Sequence, residues 1–177
     1  MKKVFYLFLI SGLIFSGCVK DSEFIEESDM ELIESKKAKK LKPFKGTLIS
    51  FPAESVDLTC DCGDVPPLFI QGSGDISHMG HTQSDGVSCA TPQPWGFSVD
   101  GCVTLVAANG DEVFADVDPY DLLFDTTCFC KATGTTFGQI IGGTGKFSNA
   151  VGEVDINVEL DLATFKFTVN LDGGISY

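Results

Sequence analysis

Two Cys-x-Cys pairs hold the densest set of reactive side chains in this 177-residue chain: Cys60-Asp61-Cys62 and Cys128-Phe129-Cys130. Alternate residues of an extended chain point to one side, so each pair presents two thiols on one face. Cys89 and Cys102 bring the number in this region to six. In an exported domain an even number of cysteines reads as a disulfide framework. Six cysteines admit 15 pairings, and sequence alone does not choose among them. If the two Cys-x-Cys segments pair antiparallel, Cys60 faces Cys130 and Cys62 faces Cys128, which leaves Cys89 with Cys102. The competing chemistry is a four-thiolate zinc site. Structural zinc sites space their thiolates by two to four residues, whereas these pairs are spaced by one.

His78 and His81 are the only histidines, in His78-Met79-Gly80-His81 with Asp75 and Asp85 nearby. Residues three apart on a strand point to opposite faces, so a shared metal requires a bend at Gly80. Otherwise His78 makes a structural hydrogen bond at a turn. Trp95 lies in Pro92-Gln93-Pro94-Trp95-Gly96, on a loop or rim, where an indole can stack on a ligand or plug the end of the fold. His78, His81 and Trp95 are the candidate ligand-binding residues. Asp116, Asp118, Asp121 and Asp125 suggest calcium but miss the EF-hand pattern: from Asp116 the sixth position is Asp121, not Gly, and the twelfth is Thr127, not Glu. They are candidates for a looser calcium loop, the alternative being a solvated acidic loop turned by Pro119. No other cofactor is expected. Gly142–Lys146 is no phosphate loop, because Ile140 stands where the first glycine belongs and Phe147 where Ser or Thr does. No catalytic residue is assigned: there is no Gly-x-Ser-x-Gly elbow, and six oxidised cysteines leave no thiol for a Cys–His pair.

The segments around these residues divide by charge. The chain has 12 lysines and no arginine against 25 Asp and Glu, for a net charge of −13. This balance argues against a nucleic-acid partner, since phosphate binding relies on Lys and Arg. Residues 1–17 read as an export signal: Lys2 and Lys3, then an apolar run from Val4 to Phe15. The run ends in Phe15-Ser16-Gly17-Cys18, which resembles the lipobox of bacterial lipoproteins, with Phe15 where Leu is usual. The resemblance implies cleavage after Gly17, lipid on Cys18, and anchoring in the cell envelope, at the outer membrane. Residues 18–43 read as the anchor and a charged tether, acidic first and basic from Lys36 to Lys45. Any electrostatic contact with anionic lipid belongs to that basic block. Residues 46–177 carry three lysines and eighteen acids, near −15.

The domain from residue 44 to 177 reads as all-β, a single antiparallel up-and-down barrel of about eight strands. Alternation is plain in Glu153–Leu160 and in Phe165–Leu171, with Asp161–Thr164 as a hairpin link. Further strands are expected at Lys45–Phe51, Leu68–Ser77, Phe97–Ala107, Glu112–Val117, Leu123–Lys131 and Thr136–Gly142. Asn109-Gly110 signals a two-residue turn of the mirror type. Closure removes exposed strand edges. An eight-stranded barrel either holds one small ligand or is filled by its own side chains, and fifteen phenylalanines favour filling.

Three blocks carry a further resemblance: Gly72-Ser73-Gly74-Asp75-Ile76-Ser77-His78-Met79-Gly80, Ala107-Ala108-Asn109-Gly110-Asp111, and Gly142-Gly143-Thr144-Gly145-Lys146-Phe147-Ser148-Asn149-Ala150. With Gly152 and the terminal Gly-x-Ile-Ser-Tyr they resemble a family of secreted bacterial β-barrel proteins whose barrels are similar to those of dirigent and allene oxide cyclase proteins. The chain departs at Met79, where Leu is usual, and in inserts at 57–67, 84–95 and 118–133. The motifs are structural and bring no reaction with them. The expected function is a non-catalytic binding or structural barrel with a small-molecule or surface partner. The alternative is a cyclase or isomerase acting on a small apolar ligand in the barrel.

Overall fold

A computed structural model describes residues 40–177. The signal segment, Cys18 and most of the tether lie outside the described residues. Eight strands follow in order: β1 (Lys42–Pro52), β2 (Pro67–Ile76), β3 (Gly80–Gln93), β4 (Gly96–Val106), β5 (Glu112–Phe124), β6 (Lys131–Gly143), β7 (Val151–Asp161) and β8 (Lys166–Ser176). Each pairs antiparallel with the next, and β8 closes on β1, so the sheet is a closed up-and-down barrel. Each strand has a neighbour on both sides, which removes the open edge that promotes aggregation.

The register sorts side chains by the two-residue period. Phe44, Leu48 and Ser50 face inward from β1, as do Val154, Ile156, Val158 and Leu160 from β7 and Phe167, Val169 and Leu171 from β8. The apolar face expected in Glu153–Leu160 is therefore the lumen face.

Three local expectations are corrected. Residues 84–95 are not an insert but most of strand β3. Its inward row is Ser84, Gly86, Ser88 and Ala90, too small and too polar to produce apolar alternation. Its outward residues Val87 and Cys89 are only 3% and 7% exposed. Conversely, Glu112–Val117 and Leu123–Lys131 are not two strands. β5 runs through Pro119, which sits where β5 shifts register against β4 and where β6 pairs with neither Asp118 nor Pro119. A proline without an N–H is tolerated where the ladder has no acceptor to satisfy. There Thr136 Oγ1 donates instead to the Asp118 carbonyl, at 2.7 Å. The β4–β5 link is also not a two-residue mirror turn. Asn109 keeps a negative φ, while Gly110 takes φ +85° and its N–H donates to the Ala107 carbonyl at 2.9 Å.

The disulfides replace the expected pairing of Cys60 with Cys130, Cys62 with Cys128 and Cys89 with Cys102. The bridges are Cys60–Cys102, Cys62–Cys89 and Cys128–Cys130. The segment between β1 and β2 carries Cys60 and Cys62 but is not a strand and never meets residues 128–130. It crosses the outer face of β3 and β4, where Cys89 and Cys102 both point outward, two register positions apart. The Cys-x-Cys spacing does bring two thiols to one side, toward that outer face. Cys128 and Cys130, left without a partner segment, close on each other in the β5–β6 turn.

Candidate functional site

The two ends of the barrel differ. At one end the three glycine-rich blocks meet and seal the lumen. Phe44, Ile76, Met79, Phe147 and Ile175 are each 3% exposed or less there. Phe147 comes from the 3-10 turn Gly145–Phe147 that precedes β7 and packs edge-on against Tyr177, with ring centroids 4.8 Å apart. Gly145 takes φ +52° beside the Asp111 carboxylate, where a Cβ would collide, so a side chain there is strained. Asp111 accepts from the Lys146 backbone N–H at 3.2 Å and from Asn109 Nδ2 at 2.8 Å. These bonds hold its carboxyl below the usual carboxylate value, the Asn109 contact contributing most.

The opposite end is open. Here β1, β3, β5 and β7 finish, and the turns carry an exposed apolar rim: Phe51, Trp95, Leu123, Phe129 and Phe165. Behind it lies a cavity of about 550 Å³, inside the ~300–1,000 Å³ range of small-molecule sites. Its walls include Leu68, Ile70, Phe97, Val99, Leu122 and Val169, and its floor Phe44 and Leu48. The expectation of a phenylalanine-filled interior is corrected. Phe51, Phe69, Phe114 and Phe137 fall at outward register positions, so the lumen keeps its volume.

The polar groups of the cavity are few: the hydroxyls of Ser50, Ser84 and Ser88, the Tyr120 phenol, and Asp100 at the β4 bulge. Burial pushes the Tyr120 phenol up to about 12, so it stays neutral at any physiological pH. No histidine, lysine or glutamate lines the cavity.

The predicted site residues separate. Trp95 reaches the mouth, half exposed, and does not plug it. His78 and His81 lie at the sealed end and form no site with Trp95. His78 holds a left-handed φ of +67°, and its carbonyl accepts from Lys146 Nζ at 2.9 Å. His81 is exposed beside Asp75, at 3.5 Å. Asp116, Asp118, Asp121 and Asp125 are strung along β5 and its turn instead of converging. Asp125 is occupied by Thr127, whose Oγ1 and N–H donate at 2.6 and 2.8 Å. No group of three His, Cys, Asp or Glu side chains among the described residues could hold a metal ion. The lumen serines were not singled out from sequence. The signal was there: Ser50 interrupts the inward apolar row of β1, and Ser84 and Ser88 alternate with Gly86.

No family model matches the chain, and no curated protein matches it. Solved structures do. The chain is similar to the pterocarpan synthase dirigent protein PsPTS1 with a TM-score of 0.52 at 11% identity, over 78% of this chain and 96% of that one. It is similar to the pterocarpan synthase dirigent protein GePTS1 with a TM-score of 0.51 at 12% identity, over 78% and 86%. At these identities the likeness is one of fold: a dirigent-like eight-stranded barrel.

Proposed function

We propose that this chain is a lipid-anchored envelope protein whose barrel holds a small, uncharged, apolar molecule without transforming it. The observation that carries the reading is the lumen: about 550 Å³, apolar-walled, sealed at one end and open at the other. Burying an apolar ligand there gains roughly 25 cal/mol per Å² of surface removed from water. Binding is favoured over a ring-closing or isomerising reaction because the cavity has no cationic group, and its phenol is held neutral by burial. A general acid–base pair poised near neutral pH is missing from that lining. The substrates implied by the names of the dirigent neighbours do not transfer to this chain at 11–12% identity.

Anchoring rests on Cys18 and its lipobox-like flank.

The test uses the Cys18→Ser chain, which cannot be acylated, and the neutral probe N-phenyl-1-naphthylamine. Wild-type lumen residues should give a saturable fluorescence rise. Gly86→Phe should abolish it, because Gly86 lines the cavity and a Cβ there meets nothing closer than 3.8 Å, leaving room for the ring to fill the lumen. A probe response that survives this filling overturns the reading.

A further inference from the structure

One hydrogen-bonded row across β1, β2 and β3 sets Ser50, Gly72 and Ser84 side by side, all facing the lumen. Ser50 is 4% exposed and Ser84 6%, and both line the cavity. No protein partner is found for either hydroxyl among the described residues. No sealed side-chain polar atom is left unpaired there either, so both oxygens look into the open space. Thr82 and Thr136, equally buried, behave differently and bond backbone carbonyls at 3.0 and 2.7 Å.

Gly72 makes the row a site. A Cβ on Gly72 would collide with Ser50 Oγ, so the Ser50 hydroxyl occupies the place a side chain of β2 would take. That brings it within about one strand spacing, ~4.8 Å, of Ser84 on β3. One oxygen atom spans such a gap with two ordinary hydrogen bonds of about 2.8 Å. An unpaired hydroxyl in apolar surroundings is costly, and a partner inside the cavity relieves that cost.

The chemistry of that partner is constrained. A carboxylate or phosphate would bury its charge without a cation, which the cavity lacks. An ammonium would find only Asp100, on the opposite side of Ser84's strand. A hydroxyl donates and accepts, so two of them suit a neutral oxygen of either kind. We propose that Ser50 and Ser84 hold the single hydroxyl or carbonyl oxygen of an otherwise apolar ligand. This rests on the binding reading above and adds the specificity-determining residues and the polar group they recognise.

A matched ligand pair tests it: p-menthane and menthol, which differ by one hydroxyl, each displacing N-phenyl-1-naphthylamine from the Cys18→Ser chain with and without Ser50→Ala and Ser84→Ala. The expected result is a menthol-to-menthane affinity ratio that falls roughly 2- to 12-fold in the double variant. The affinity for p-menthane should hold or rise, which also shows that the variant is folded. An unchanged ratio, as waters on the two hydroxyls would give, overturns the proposal. If the probe binds the parent chain but neither compound displaces it, this inference fails and the binding reading stands; if the probe gives no saturable signal with the parent chain, the binding reading itself fails and takes this inference with it.

Discussion

Lys146 Nζ donates to the His78 carbonyl at 2.9 Å although 68 residues separate the two. That bond links two of the three glycine-rich blocks. The third joins through Asp111, which accepts from the Lys146 backbone, and through the Ala108 N–H, which donates to the Met79 carbonyl at 3.2 Å. The blocks therefore have one job in common, to build the sealed end of the barrel. This is why they read as structural motifs without a reaction attached.

Phe147 is the keystone of that end, with no exposed surface. Phe147→Ala should cost about 3–5 kcal/mol, as for other fully buried phenylalanines. Lys146→Met, which removes one exposed hydrogen bond and keeps the stem, should cost about 1 kcal/mol or less. Urea unfolding followed by circular dichroism measures both. Equal losses would contradict the assignment of the seal to the aromatic ring.

The three bridges should contribute unequally. Cys60–Cys102 and Cys62–Cys89 span 42 and 27 residues and staple the 53–66 segment over β3 and β4. Removing either should cost about 2–4 kcal/mol. Cys128–Cys130 spans 2 residues in an exposed turn, and its loss should barely move the unfolding midpoint. It is also the most accessible to thiols, so mild reductant should open it first. Peptide mapping after partial reduction and alkylation checks both the order and the pairing.

Three turn carboxylates set an acid sensitivity. Asn109 and the Lys146 N–H lower Asp111, the Thr127 hydroxyl and N–H lower Asp125, and the Thr164 and Ala163 N–H groups lower Asp161, each from an ordinary 3.8. A carboxyl lowered on folding stabilises the fold above its unfolded pKa. That stabilisation is lost as pH falls through the folded value, so the window lies below about 4. The three Asp→Asn substitutions together should lower Tm at pH 5, and the gap from wild type should close as pH drops to 2. A gap independent of pH would refute the turn-charge account. Comparing variants cancels the opposing relief of repulsion across the acidic barrel.

Trp95 is the only tryptophan and sits half exposed at the mouth. Its emission should be red-shifted in the empty protein and move to shorter wavelength when menthol enters the lumen. Trp95→Ala, a surface change, should alter stability by about 0.5 kcal/mol or less. A spectrum indifferent to ligand would place the entrance elsewhere.

The barrel class and the apolar face of β7 and β8 were legible in the order of residues, because alternation and turn chemistry act between neighbours in the chain; the expected count of eight strands matches the observed one only because the missing β3 is offset by the division of β5 into two. Asp161 and Asn109-Gly110 mark turns by bonding their own backbone, which needs nothing distant. Where strand character depended on a remote partner, the order of residues misled. β3 lacks alternation because its inward side borders an open cavity and its outer side is covered by residues 53–66. Pro119 looks like a turn until both neighbouring strands are seen to pass it unpaired. The bridges were decided the same way: Cys-x-Cys spacing sets which thiols share a face, but only the path of the 53–66 segment brings Cys60 and Cys62 to β4 and β3. So too for the lumen. Phenylalanine content is a property of the chain, whereas the side of the sheet each ring takes is set by register around a closed barrel. That register sent enough rings outward to leave a cavity, and it put Ser50 and Ser84 on either side of Gly72 inside it.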